Sequence, residues 1–166
     1  MKRFLFVIAS VFLLSACAQV FFTSPQPSRG VAIRSFPDAQ LGIYSDSTLN
    51  VTLLKNKIII EGDEYVLTTR NPLENEVLVK FYKNFYFASF LEEGYYQVFM
   101  AGFFDEKLAV YMLNADAYSI EVLNKFVAVD TLNTETETYL IDASRRQFDA
   151  IIDNELFDVI GVLSRE

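Results

Sequence analysis

Carboxylates are the side chains of this sequence that could do chemistry. Paired carboxylates can hydrolyse glycosidic bonds as acid and nucleophile, and a carboxylate cluster can bind calcium. The sequence has no histidine, which excludes Ser-His-Asp and Cys-His catalysis and removes the commonest transition-metal ligand. Charges at turn tips are well solvated, so we interpret the clusters as surface charges and predict no catalytic residue, metal site or cofactor. The clusters are Glu61 with Asp63 and Glu64, Glu92 with Glu93, and Asp105 with Glu106.

The only cysteine, Cys17, follows an N-terminal leader. Lys2 and Arg3 form a short positive region, and the uncharged apolar run 4–14 comes next. This layout is typical of a secretory signal peptide, and the run is too short to span a bilayer. We therefore predict that residues 1–16 are a signal peptide, cleaved between Ala16 and Cys17.

The four residues Leu14-Ser15-Ala16-Cys17 resemble the lipobox of bacterial lipoproteins. The resemblance implies that Cys17 receives a diacylglycerol group, becomes the first mature residue and is acylated again, with palmitate among the chains. It also implies attachment to a membrane of the cell envelope through this lipid. The next residue is Ala18 and not the aspartate that favours inner-membrane retention. We therefore expect the outer membrane and its periplasmic face, while a surface orientation stays open.

Composition divides the chain into a leader, a tether and one domain. Prolines, serines and Gly30 are dense up to Pro37, so we predict that residues 17–37 form the lipidated N-terminus and a flexible tether. Residues 38–166 are predicted to be a single globular domain without disulfides. The formal net charge is −8 at pH 7. This charge opposes binding to nucleic acid, so we predict no nucleic-acid partner.

Short apolar runs between turn residues predict a mainly β fold with short helices. From Leu41 to Leu113 we expect about eight strands in an antiparallel meander, a barrel or half-barrel, with tight turns at Lys55-Asn56 and Lys83-Asn84 and a three-residue loop at 92–94. Beyond Asn114 the pattern indicates a helix–strand–helix extension. Its parts are a helix over 115–126, strands at 127–132 and 138–141, and a second helix capped by Ser144, and a closing strand follows at 159–163. We interpret Asp149, Asp153 and Asp158 as the solvated face and end of the second helix.

Aromatic residues are the other unusual feature, with 16 Phe and 9 Tyr. Their density in residues 81–104 predicts strands buried on both faces. Three interpretations stay open: a packed core partly covered by the C-terminal helices, an aromatic-lined pocket for a lipid or other ligand, and an exposed patch for a partner. Leu41-Gly42-Ile43-Tyr44 is similar to the opening of small lipocalin-like domains, with Tyr44 in place of their usual Trp.

These observations predict a membrane-anchored envelope lipoprotein that acts as a non-enzymatic binding or accessory module. Its partner would be an envelope protein or an apolar small molecule, and its ligand-binding residues stay unassigned. The alternative is a lipocalin-like carrier of a small apolar ligand or lipid. A carboxylate-dependent enzyme is the third candidate.

Overall fold

The computed structural model describes residues 19–166. The predicted signal peptide, the cleavage site at Ala16 and the lipidation site at Cys17 lie outside the described residues. Within this range, α1 spans Ala117–Leu123 and α2 spans Arg145–Asp153. The strands are β1 (Gln19–Phe22), β2 (Val31–Ala32), β3 (Gly42–Ser45), β4 (Asn50–Leu54), β5 (Lys57–Ile60), β6 (Asp63–Thr68), β7 (Glu76–Tyr82), β8 (Phe85–Glu92), β9 (Tyr95–Phe104), β10 (Lys107–Leu113), β11 (Val129–Asn133), β12 (Thr138–Ile141) and β13 (Phe157–Arg165).

Nine of these strands close into a barrel, in the order β10-β13-β3-β4-β5-β6-β7-β8-β9 and back to β10. The predicted mainly β barrel with short helices is confirmed. β13 was predicted to belong to a C-terminal extension, but it is part of the barrel wall. It pairs with β10 from Phe157 to Ser164, and with β3 at only two positions, Ser164 and Arg165.

The sheet forks at β9. One side of β9 pairs with β8. On its other side, residues 99–104 pair with β10, whereas Tyr96 pairs with Phe22 of β1. β1 then pairs with β12 and β12 with β11, so three strands branch off the barrel.

Two hydrophobic cores result from this fork, because alternate side chains of β8 and β9 point to opposite faces. One core lies inside the barrel and includes Tyr44, Val77 and Leu163. The other joins the outer face of β8 and β9 to the branch strands and both helices. At its centre Phe148 of α2 contacts Phe22, Phe87 and Phe157, with ring centroids 5.8, 5.5 and 6.1 Å away.

The hairpin turns follow the predicted residues. Lys83 and Asn84 have φ of 48° and 68°, as a two-residue turn of type I′ requires. At Glu92–Gly94 the predicted three-residue loop is wrong, because Glu92 pairs with Tyr95 in the ladder and only two residues form the turn.

From its short connections we predicted that the whole meander is antiparallel. This prediction is wrong at one place. β6 and β7 run parallel over three residue pairs, from Val66 with Glu76 to Thr68 with Leu78. The connecting loop therefore has to return over only about 10 Å, which seven residues span easily. The Glu76 carboxylate fixes the loop by accepting the Leu73 N–H at 3.0 Å, and this bond lowers the pKa of Glu76.

The predicted flexible tether over residues 17–37 is wrong for the described part, 19–37, because the residues from Gln19 onward belong to the domain that was predicted to begin at residue 38. Val20, Phe21 and Phe22 are buried in β1, and Val31–Ala32 pairs with β7. The proline-rich segment between them is fixed by Gln26, whose exposed fraction is 1%. Burial of the β1 side chains and of Gln26 outweighs the flexibility that the proline and serine content predicted.

Candidate functional site

The three predicted carboxylate clusters lie at three separate hairpin turns, β5–β6, β8–β9 and β9–β10. Glu61 accepts the Asn50 N–H, Glu64 pairs with Lys57 at 2.8 Å, and Glu106 pairs with Arg165 at 3.1 Å. Between residues 19 and 166 no group of three or more potential ligands is arranged to hold a metal ion.

The pKa of the Glu92 carboxyl group is raised. Partial loss of water around its carboxylate is the main cause, and the neighbouring charge of Glu93 adds to it. The residue remains exposed at the end of β8, so the change reflects crowding at a turn and not a deep pocket.

Aromatic rings from several strands meet inside the barrel. Tyr86 contacts Phe81 and Phe103, with ring centroids 4.9 and 5.6 Å apart. Phe90 contacts Tyr65 at 4.8 Å and Phe99 at 5.9 Å. On the outer face of the barrel, Phe148 of α2 packs against Phe87, as the interpretation of a core partly covered by the C-terminal helices predicted.

A lipocalin-like carrier stays a prediction. The barrel has nine strands, whereas lipocalin barrels have eight. Tyr44 points into the barrel core, and its hydroxyl donates to the Gln40 carbonyl at 3.1 Å. Two concavities formed by residues 19–166 lie outside the barrel.

The larger concavity, of about 500 Å³, lies between α1 and the connection from α2 to β13. We call it the α1–β13 cleft. Its volume falls within the range of small-molecule and peptide sites. Its floor is apolar, with Leu113 and Leu123 buried and Leu156 partly buried. Polar residues complete the lining, namely Asn114, Asp116, Ser119, Asn154, Glu155 and Asp158, together with Val122 and the exposed ring of Tyr118.

Local hydrogen bonds build the α1 wall of the cleft. The Asn114 side chain accepts the Asp116 N–H at 3.0 Å and turns the chain away from β10. Asp116 is the N-cap of α1, and its carboxylate accepts the Ser119 N–H at 2.8 Å and the Ser119 hydroxyl at 3.0 Å. The bond from the Ser119 backbone is the largest of the effects that lower the pKa of Asp116. Asp116 therefore stays charged near neutral pH.

The end of α2 builds the opposite wall. Asn154 donates its side-chain amide to the Ala150 carbonyl at 2.8 Å, and Glu155 takes a left-handed backbone conformation with φ of 54°. The chain reverses at these two residues, so β13 starts directly beside the cleft.

The cleft is acidic. Asp116, Glu155 and Asp158 line it, and no lysine or arginine does. None of these three carboxylates takes part in the ion pairs formed within residues 19–166. An apolar floor under an uncompensated negative rim fits a molecule that carries both an apolar part and a positive charge.

A second group of charges belongs to the fold and not to a site. Lys83 donates to Asp153 at 2.5 Å, and Tyr82 donates its hydroxyl to Asp149 at 2.7 Å. The hydrogen bond to Asp153 is the main cause of the raised pKa of Lys83. Asp149 and Asp153 were interpreted as part of a solvated helix face, but they join α2 to the β7–β8 turn.

Analysis of the sequence did not find the cleft. Its residues come from two segments about 40 positions apart, 113–123 and 154–158. Of its three carboxylates, only Asp158 was considered, as part of a solvated surface. The local signal that was present is Asn114-Ala115-Asp116 before a helix, which marks a helix start without indicating what faces it.

No helix in the described part of the chain is long and apolar enough to cross a membrane. Comparisons with family models, with curated proteins and with solved structures found no match for this chain. The cleft and the sequence of the leader are therefore the features from which a function has to be argued.

Proposed function

We propose that this chain is a lipoprotein of the cell envelope, anchored to a membrane through Cys17, and that its domain is a non-enzymatic binding module. The similarity of Leu14-Ser15-Ala16-Cys17 to a lipobox supports the anchor. The α1–β13 cleft is the proposed binding site, and it is the observation that carries the binding function. It combines a volume of about 500 Å³, an apolar floor and three carboxylates without a cation partner.

The charge states of the cleft favour binding over proton transfer. A general acid at neutral pH needs a carboxyl group with a raised pKa, usually produced by burial or by a second carboxylate. The pKa of Asp116 is lowered by its hydrogen bonds. A carboxylate that stays charged is suited to hold a cation in place.

Processing and membrane attachment test the anchor. The full chain is produced in a bacterium with a lipoprotein pathway, and its intact mass is measured after extraction from membranes. We expect a chain that starts at Cys17 and carries acyl groups, whereas Cys17→Ser should leave the membrane fraction or remain unprocessed. Unchanged processing and membrane retention of Cys17→Ser would exclude a lipid anchor at this position.

Native mass spectrometry of the extracted protein tests the binding site. Tyr118 lines the cleft and is 76% exposed, so Tyr118→Ala should leave the fold intact. Leu73→Ala is the control, because Leu73 is also exposed but lies in the β6–β7 loop. We expect a co-purifying molecule to be lost with Tyr118→Ala and kept with Leu73→Ala. Equal occupancy in both variants would contradict the assignment of the cleft.

A further inference from the structure

We propose that the free edge of β13 accepts an extended basic segment of another protein as an added strand, with a cationic end of that segment at the α1–β13 cleft. The inference rests on the proposed function of the cleft and names the class of partner. It is carried by an unpaired strand edge that is continuous with the cleft.

The edge is open because β3 ends too early to cover it. β13 contains nine residues, and β3 pairs with only Ser164 and Arg165. β3 ends at Ser45, where the chain turns away and the Asp46 N–H bonds to the Leu49 carbonyl at 3.0 Å. Within residues 19–166, six of the seven residues 157–163 thus pair with β10, Ile160 being left out at a bulge, and none of the seven pairs with a strand on the side of β3.

The backbone direction places hydrogen-bonding groups on this open side. The Arg165 N–H bonds to Glu106 beside β10, and the Glu166 N–H bonds to Ile43 of β3. Because the N–H and C=O groups of successive residues alternate between the two sides of a strand, Val162 has the same direction as Glu166. Its N–H and C=O groups therefore point to the side that lacks a strand.

The side chains along the edge are apolar and accessible. Val159, Ile160 and Val162 are 55, 47 and 49% exposed. Edge strands are usually protected by charges, prolines or a covering segment, and an exposed apolar edge is a site for pairing with another strand. The charges beside residues 157–163 are Asp158 and, from the β3–β4 turn, Asp46; both are negative, so they oppose pairing with an acidic strand but not with a basic one.

Charge complementarity selects the occupant. The carboxylate of Asp158 lies at one end of the edge, next to Glu155 and Asp116 of the cleft. Asp46 lies beside Gly161, since its Oδ2 is 3.6 Å from the position of a Cβ there, and hydrogen bonds lower its pKa. An extended segment with lysine or arginine and alternating apolar side chains fits these groups. A second copy of this acidic chain would bring like charges together at the same edge.

The test uses synthetic ten-residue peptides and the full chain, isotopically labelled in detergent micelles. The first peptide alternates valine and threonine and carries two lysines at each end. In a second peptide glutamates replace the lysines, and in a third the alternate backbone amides that would pair with β13 are N-methylated. Binding is followed by the amide signals of residues 157–163 and by titration.

We expect the lysine peptide to shift the amide signals of 157–163. The glutamate peptide should bind at least about tenfold more weakly, the effect of losing one charge-assisted hydrogen bond, and the N-methylated peptide should bind at least about tenfold more weakly because it loses several backbone hydrogen bonds to β13. The double variant Glu155→Gln and Asp158→Asn should weaken the lysine peptide by a similar factor. Asp63→Asn is the control, because Asp63 lies on β6 across the barrel and should change nothing.

Three results would overturn the inference. If the N-methylated peptide binds as well as the lysine peptide, the ligand does not pair with the strand, although the cleft as a binding site would stand. If the signals of 157–163 change with protein concentration and sedimentation shows a dimer, a second copy occupies the edge. If no peptide binds while the Tyr118→Ala experiment still detects a ligand, the partner is not an extended basic segment.

Discussion

Replacing Ser89 by alanine should destabilise the domain strongly, although the change removes a single oxygen atom. The Ser89 hydroxyl lies between β8 and the N-terminal segment. It accepts the Gln26 N–H at 3.2 Å and donates to the Gln26 carbonyl at 3.1 Å. This hydroxyl therefore links β8 to the N-terminal segment, which the proline content predicted to be a flexible tether.

The magnitude follows from burial. Ser89 and Gln26 have exposed fractions of 0 and 1%, so neither backbone group of Gln26 can turn to water after the substitution. A buried polar group without a partner costs about 1–3 kcal/mol, and two groups are left here. Allowing for relaxation of the carbonyl, we expect the free energy of unfolding to fall by about 2–4 kcal/mol. This is a large part of the 5–15 kcal/mol that is typical of a domain.

Urea denaturation of the full chain in mild detergent measures this loss, and hydrogen exchange at the Gln26 amide reports it locally. Thr23→Val is the matched control. It removes a hydroxyl from the same segment, but its bond to Asp142 is exposed and should contribute less than about 1 kcal/mol. If Ser89→Ala costs no more than the control, the N-terminal segment is not held by this hydroxyl and the argument from buried hydrogen bonds fails.

Three further predictions concern the ends of the domain and one turn. A chain that begins at Gln19 should fold. A chain that begins at Ser35 should be largely unfolded by circular dichroism, because it lacks the three buried apolar side chains of β1, which contribute about 5–8 kcal/mol. A cooperative melt of the shorter chain would contradict this. Glu92→Gln should raise the free energy of unfolding at pH 7, since the raised pKa means that the charged form is penalised in the folded state. That gain should vanish below about pH 4, where the carboxyl group is neutral in both states, and denaturation at the two pH values checks it. Arg165→Ala should lower the urea midpoint and reduce the free energy of unfolding by about 1–3 kcal/mol. The reason is that the guanidinium donates to the Leu41 carbonyl at 2.7 Å and to Glu106 at 3.1 Å where β13 joins β3. An unchanged midpoint would show that this junction is held by its strand pairs alone.

The sequence specified the barrel well because its signals are local. Two-residue turns such as Lys83-Asn84 need left-handed conformations that asparagine tolerates, and alternating apolar residues mark the strands on either side. The pattern of 145–153 likewise predicted α2, whose N-cap Ser144 donates its backbone N–H to Gln147 at 2.9 Å. These elements are recognisable one at a time, whatever lies next to them.

What the sequence did not reveal depends on contacts between distant segments. Val20-Phe21-Phe22 is a short apolar run that any strand could contain. Its burial follows from pairing with β12, about 120 positions later, and no local feature of β1 predicts that partner. The α1–β13 cleft was missed for the same reason, since its two walls come from the separate segments 113–123 and 154–158, which only the tertiary fold brings together.

The early start of the domain also changes how a lipid at Cys17 would act. A flexible tether of 17–37 would let the domain move roughly 20 Å from the membrane. Gln19 already lies in β1, with its N–H bonded to the Glu137 carbonyl at 3.2 Å. Gln19 is two positions after Cys17, which is a reach of at most about 7 Å. An acylated Cys17 would therefore hold the β11–β12 turn, with Glu135 and Glu137, directly at the lipid surface. The anchor would then restrict the orientation of the domain, so that a partner has to approach β13 and the cleft from the directions that the membrane leaves open.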